Sequence, residues 1–235
     1  MGTATDTNLE ALGWKPHWDT KLADANLDGS PARVVRHDAV KVLVTTGDSV
    51  EHVTFSRSTP LVVGDWVVVN NETVAGLLER DNELVRDTGD YGTQVIGANI
   101  DVVVVVFAAD RPLKQRKVMR FVAFAGDIGA TPIVIVSKTD VLDDSDAMRA
   151  TLGEWLPGVD VIFTSVTQDV GISDVFDALA GRTATFIGES GVGKSSLVNA
   201  LMEDEVAWIA DVRETDAKGR HTTTHRELHR LPGGG

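Results

Sequence analysis

The chain of 235 residues contains no cysteine, which excludes disulfides and thiolate zinc sites within it. It has no apolar run near the roughly 20 residues needed to cross a bilayer. The longest, Val102 to Ala109, has the length of a buried strand. No basic segment leads into an apolar one at its start, so the expectation is a cytoplasmic protein with no membrane partner. Positive charge is scarce: 22 Lys and Arg against 35 Asp and Glu leave a formal charge of −13. That balance repels nucleic-acid backbones and argues against non-specific binding, so an RNA partner must meet a local basic patch. Repeats of solenoid length are also missing.

What the chain does have is a complete phosphate loop. Gly188-Glu189-Ser190-Gly191-Val192-Gly193-Lys194-Ser195 fills every fixed position of GxxxxGK[ST], and Ser196 follows it. Glycines let successive backbone N–H groups turn inward around a phosphate. In that pattern Lys194 reaches the outer phosphates and the Ser195 hydroxyl ligates Mg²⁺. The context fits, because Thr183 to Ile187 reads as a short buried strand. Leu197, Val198 and Leu201 form an apolar stripe on the helix that follows, whose N-terminus faces the anion.

Ser137-Lys138-Thr139-Asp140 is a variant of the [NST]KxD tetrad that reads guanine, and it follows the apolar strand Thr131 to Val136. A carboxylate at Asp140 accepts from N1–H and the 2-amino group of guanine, which adenine cannot offer, so ATP is disfavoured. The stem of Lys138 packs along the base. Alone, the tetrad reads more readily as an exposed turn after a strand; beside a phosphate loop it points to GTP and GDP. Ser137 replaces the commoner Asn and loses an amide that braces the loop, so a modest affinity is expected. Thr164-Ser165-Val166, after the strand Val159 to Phe163, is the candidate segment to present a backbone N–H to guanine O6.

Gly219-Arg220-His221-Thr222-Thr223-Thr224 is polar and rich in hydroxyls. A GTPase needs a threonine that completes the Mg²⁺ shell and senses the γ-phosphate. Thr223 is the chosen candidate, with Thr222 and Thr224 left open. His221, His225 and His229 recur every four residues, but the intervening threonines disfavour a helix and hence a zinc stripe.

Three zones follow. Residues 1–30 read as a partly ordered arm whose Trp14 and Trp18 dock on the next domain. Residues 31–88 hold five short strand patterns, at Arg33 to His37, Val40 to Thr45, Val50 to Ser56, Leu61 to Val69 and Thr73 to Leu78, a number that suits an OB-fold barrel. Such a barrel either binds RNA or serves only for docking. From residue 89 to 235 strand and helix patterns alternate, as in a parallel α/β sheet. Within it Val118, Phe121, Val122 and Ala125 make a buried helical stripe. Lys114, Arg116, Lys117 and Arg120 share that helix, as a solvated face or an RNA contact.

In a usual GTP-binding domain the phosphate loop comes first and the KxD tetrad near the end; here the order is inverted. With the barrel, the QVIGANID segment from Gln94 to Asp101, the SKTD tetrad and GRHTTTHRELHRLPGGG, the chain resembles the RsgA (YjeQ/EngC) family of circularly permuted GTPases from about Pro31 onward. The resemblance implies an OB-fold, a permuted GTPase domain and a zinc-binding C-terminal domain. It also implies a monomer acting in late maturation of the small ribosomal subunit and its rRNA, with hydrolysis stimulated by that subunit. The family's DxxG motif and zinc module would lie beyond Gly235, so the sequence is read as an incomplete chain. With no glutamine after DxxG in the family, His221 is the candidate to orient the attacking water, beside Lys194. The alternatives are a nucleotide-gated ribosome-docking module without turnover, and an ATP-using P-loop protein.

Overall fold

The computed structural model describes residues 8–38, 40–89, 92–202, 226–232 and 234–235. The chain divides into two compact units, Met1–Ile100 with Val212–Gly235, and Asp101–Asp211.

In the first unit, β1 (Ser30–Asp38), β2 (Lys41–Thr45), β3 (Val50–Thr54), β4 (Trp66–Asn70) and β5 (Thr73–Leu77) close into a barrel of order β1-β2-β3-β5-β4. This is the OB-type barrel expected from the strand patterns. Alternation along the strands sorts the side chains. Ala32, Val34, Val42, Val44, Val53, Leu61 and Val67 fill the interior. Trp66 and Val68, one residue out of phase with Val67, face outward and are covered by Leu9, Leu12, Trp14 and Trp18. The described part of the N-terminal zone, residues 8–30, is therefore packed on the barrel. Proline at its first position opens α1 (Pro16–Ala25), Asn26 in the left-handed region ends it, and Trp14 meets Trp66 edge-on at 4.7 Å.

The fourth strand is shorter than its pattern suggested. Residues 62–65 make a turn instead, because the buried Asp65 carboxylate draws in Val62 N–H at 2.7 Å and forks onto Arg80 at 2.7 and 2.8 Å. The unit also extends to Ile100, past the expected boundary at 88. An antiparallel hairpin of β6 (Glu83–Asp87) and β7 (Thr93–Ala98) is tied back to it through Ala98 N–H to Val63 O at 3.1 Å. Asn99 Nδ2 adds a bond to Gly64 O at 3.0 Å. At the other end of the chain, Leu228 N–H donates to Val35 O at 2.8 Å.

The second unit is a parallel sheet of order β10-β9-β8-β11, from β8 (Val102–Ala108), β9 (Thr131–Ser137), β10 (Asp160–Phe163) and β11 (Ala184–Ile187). All seven residues of β8 are buried, as continuous valine predicts for a central strand covered on both faces. The connecting helices are α2 (Gln115–Asp127), α3 (Asp146–Trp155) and α4 (Ile172–Leu179), and α5 (Lys194–Met202) follows β11. Helix α2 buries Val118 and Ala125, with Phe121 and Val122 half-buried beside them.

Arg80 and Asp65 form the most consequential buried ion pair of the barrel unit. Burial pushes the Asp65 carboxyl up, and the two bonds from Arg80 oppose it. Replacing Arg80 with Ala leaves that carboxylate uncompensated and is expected to cost about 3 kcal/mol. Urea denaturation followed by tryptophan emission measures it, and a loss below about 1 kcal/mol would mean that the pair is not what holds this turn.

Candidate nucleotide site

The four parallel strands of the second unit deliver four loops to one edge of the sheet, the carboxyl ends where such sheets bind ligands. β11 runs into the phosphate loop, β9 into Ser137–Asp140, β10 into Thr164 and Ser165, and β8 into Asp110 and Arg111. The inverted chain order therefore does not scatter the two motifs.

The phosphate loop is forced on its sequence at its first residue. Gly188 has φ +150, and a Cβ there would lie 2.4 Å from the carbonyl oxygen of Val106 on β8. Only glycine lets the loop leave β11 that close to the central strand. Gly191 and Gly193 also have positive φ, and Val192 between them is buried. Lys194 Nζ donates to the carbonyls of Gly188 at 3.0 Å and Glu189 at 2.7 Å, so its ammonium lies over the concave side of the loop. Ser195 and Ser196 occupy the first turn of α5. A cradle of this shape, with a lysine over it and a hydroxyl at the helix start, fits a nucleotide phosphate and Mg²⁺. Among the described residues no group of three or more His, Asp or Glu side chains is placed to hold a metal.

Ser137 changes one expectation. Its hydroxyl lies 2.6 Å from Val192 O in the phosphate loop and 3.1 Å from Phe107 O on β8. The serine thus braces the loop directly, doing with one hydroxyl what was expected to be lost with the amide. Lys138 follows in the left-handed region at φ 57, a conformation costing a non-glycine residue on the order of 1 kcal/mol. Its Nζ is tied to Asp110 at 2.7 Å. Thr139 N–H donates to Thr164 O at 3.1 Å and joins the tetrad to the β10 loop.

Asp140 is aimed by Ser165, whose hydroxyl donates to its carboxylate at 2.6 Å. That bond, aided by backbone and Thr167 donors, holds the carboxyl below its usual range. The role expected of Thr164 and Ser165 shifts accordingly. Thr164 N–H is bonded to Val136 O at 2.8 Å and Ser165 N–H to Val170 O at 3.0 Å. Neither is left to meet guanine O6, and of the three expected residues Val166 alone has an amide with no bond among the described residues. Ser165 contributes through its side chain.

On the basic face of α2, Lys114, Arg116 and Arg120 are exposed, as a solvated face requires, and Lys117 alone departs from that reading. Lys117 pairs with the carboxylate of Glu189 in the phosphate loop, and that pair holds Glu189 below its usual range. Asp110, which no motif flags, is held down at about 2 by Arg111 and Lys138. Its signal was only its place after an apolar strand. His221, Thr222, Thr223 and Thr224 lie outside the described residues, as does His225.

Comparison with known proteins gives this geometry a lineage. The profile of the RsgA GTPase family matches residues 77–235. A curated relative from Vibrio parahaemolyticus, "Small ribosomal subunit biogenesis GTPase RsgA 2", is 33% identical across 99% of this chain and 66% of its own length. The Streptomyces coelicolor protein "Small ribosomal subunit biogenesis GTPase RsgA" is 34% identical over 99% of this chain and 69% of itself. The chain thus spans about two thirds of the length of these relatives. Among solved structures, YloQ, described as a circularly permuted GTPase, superposes with a TM-score of 0.59 at 27% identity, over 74% of this chain and 65% of that one. YjeQ from Thermotoga maritima shares the fold at a TM-score of 0.62 and 24% identity, over 72% and 64%. The chain belongs to the RsgA GTPase family, and its domain order is the circularly permuted one.

Gly188→Ala tests the close approach on which the loop depends. It is expected to raise the dissociation constant for nucleotide at least about a hundredfold, since the added methyl meets backbone that cannot move aside. Gly153→Ala, in α3 with open space around it, is the matched control and should leave binding unchanged. Equal binding by both variants would show that the loop sheds this contact.

Proposed function

We propose that this chain binds GTP and GDP with Mg²⁺ and, as part of an RsgA GTPase, hydrolyses GTP during maturation of the small ribosomal subunit in the cytoplasm. The observation that carries the guanine reading is the Asp140 carboxylate, ionised and aimed by Ser165, on the loop that Ser137 joins to the phosphate cradle. On this reading Asp140 accepts two hydrogen bonds from guanine and the Lys138 stem covers the base. The loop amides from Gly188 to Lys194 surround the phosphates, with Ser196 beside them. The Lys194 ammonium moves from the loop carbonyls to the phosphate oxygens. Mg²⁺ supplies charge neutralisation, and the Ser195 hydroxyl together with Thr223 would hold it. His221 would orient the attacking water. The barrel and the basic end of α2 are the surfaces proposed to meet rRNA on the subunit.

Titration with labelled GDP and ADP separates this reading from an ATP-using protein. GDP is expected to bind at least about a hundredfold tighter, and Asp140→Ala should abolish that preference, because the buried donors of the base lose their acceptor. The pH dependence follows from the lowered carboxyl: the contribution of Asp140 is present above the ordinary carboxylate range and is lost only as pH falls through the lower folded value. The ratio of GDP affinities between the unaltered chain and Asp140→Ala, in which the titration of the phosphate cancels, should therefore stay flat from about pH 8 down to about pH 5. Equal affinity for GDP and ADP in the unaltered chain would refute the guanine reading.

A second measurement addresses turnover. Purified small subunits should raise GTP hydrolysis, and His221→Ala should lower the stimulated kcat roughly a hundredfold while leaving GDP affinity alone. Turnover unaffected by subunits would remove the ribosomal part of the proposal, and wild-type turnover by His221→Ala would remove the histidine from the mechanism.

A further inference from the structure

The loop after β8 carries a pair of residues that the nucleotide motifs do not account for. Asp110 shares its carboxylate between two cations: Oδ1 accepts from Arg111 Nε at 2.9 Å and Oδ2 from Lys138 Nζ at 2.7 Å. Lys138 belongs to the base-reading tetrad, so the same carboxylate that sets the base lysine also sets an arginine.

The direction of that arginine matters. With Nε bonded to Asp110, the planar guanidinium is held in one orientation, and its two terminal nitrogens have no hydrogen-bond partner among the described residues. A Cβ placed on Gly191, the fourth residue of the phosphate loop, would lie 3.9 Å from Arg111 Nη2 and within 4 Å of no other neighbour. The guanidinium therefore stands beside the loop where the chain itself leaves space. Lys117, which also reaches this edge from α2, is already neutralised by Glu189. An exposed ion pair between adjacent residues contributes little to stability, so folding alone gives no account of an arginine held this way.

We propose that Arg111 is a phosphate-contacting residue supplied from within the chain, whose terminal N–H groups bind oxygens beyond the α-phosphate of a nucleotide seated on the loop, with Asp110 as its positioning residue. The chemistry matches: a guanidinium fork presents two parallel donors to two phosphoryl oxygens, and arginines supplied in cis serve other GTP-hydrolysing sites in this way. Asp110 couples the two ends of the ligand, because releasing it frees both the base lysine and the phosphate arginine. The inference rests on the guanine-nucleotide reading of the site.

The test is competition of GMP, GDP and GTP against a fluorescent GDP, using the whole chain. In Arg111→Ala, GDP and GTP should bind about tenfold more weakly, as expected for one charged hydrogen-bonding group, while GMP stays within about twofold of wild type. Arg111→Gln keeps a polar side chain without the charge or the guanidinium fork and should behave alike; it carries the test if the alanine variant fails to fold. Asp110→Asn should weaken GMP as well, through Lys138. Equal losses for all three nucleotides in both Arg111 variants, or no loss for any, would overturn the assignment. If the unaltered chain binds none of the three, the reading of the site itself fails, an outcome distinct from normal GDP binding that is insensitive to Arg111.

Discussion

A single hydroxyl joins the two halves of the nucleotide site. Ser137 Oγ, at the end of β9, lies 2.6 Å from the carbonyl of Val192 inside the phosphate loop and 3.1 Å from Phe107 O on the strand between them. Apart from this hydroxyl and the exposed pair of Lys117 with Glu189, the described contacts of the loop are with the strand it leaves and the helix it enters. The base-reading tetrad has its own dependency, a lysine in the left-handed region whose ammonium is anchored on Asp110. Because Ser137 and Lys138 are consecutive, the distance between the base end and the phosphate end of the site is set by one peptide unit and one side-chain hydrogen bond.

That arrangement explains why the inverted chain order does no harm. Parallel strands place their carboxyl ends on the same edge whatever order the chain visits them, and β8 in the centre carries both β9 and β11 as neighbours. The ladders run in register, Val102 opposite Thr131 on one side and Ala184 on the other. The site requires adjacency of strands, and a permutation conserves adjacency while changing which loops are continuous. Burial of every residue of β8 is the energetic basis of that adjacency, since its apolar side chains are removed from water on both faces.

The readings that succeeded in the sequence rest on local physics. Unbroken valine in β8 and isoleucine–valine in β9 fix central strands, and GESGVGKS fixes its own conformation through glycines that only one backbone path accommodates. The barrel was legible because five alternating segments have few other ways to bury one face each. The failures were non-local. Nothing near Lys117 announces a partner seventy residues on, and nothing near Ser165 announces that its hydroxyl is committed to Asp140. The hairpin of β6 and β7 was missed because half its residues are polar and its attachment depends on Asn99 and on the Val63 carbonyl. The arm was read as only partly ordered because it mixes tryptophan and proline with many polar residues; the tryptophan cluster that packs its described part spans about fifty residues of sequence.

That cluster has an optical consequence. Five tryptophans occur in the chain, and three of them, Trp14, Trp18 and Trp66, sit within one buried group on the outer wall of the barrel, with ring centroids 4.7 to 6.1 Å apart. Rings this close exchange excitation efficiently, so their emission behaves as one chromophore. The near-ultraviolet dichroism of the molecule is thereby weighted toward the first unit, and the nucleotide site is comparatively silent in it. An intrinsic spectroscopic signal will follow the docking of α1 on the barrel and will need an added label to see the phosphate loop at all.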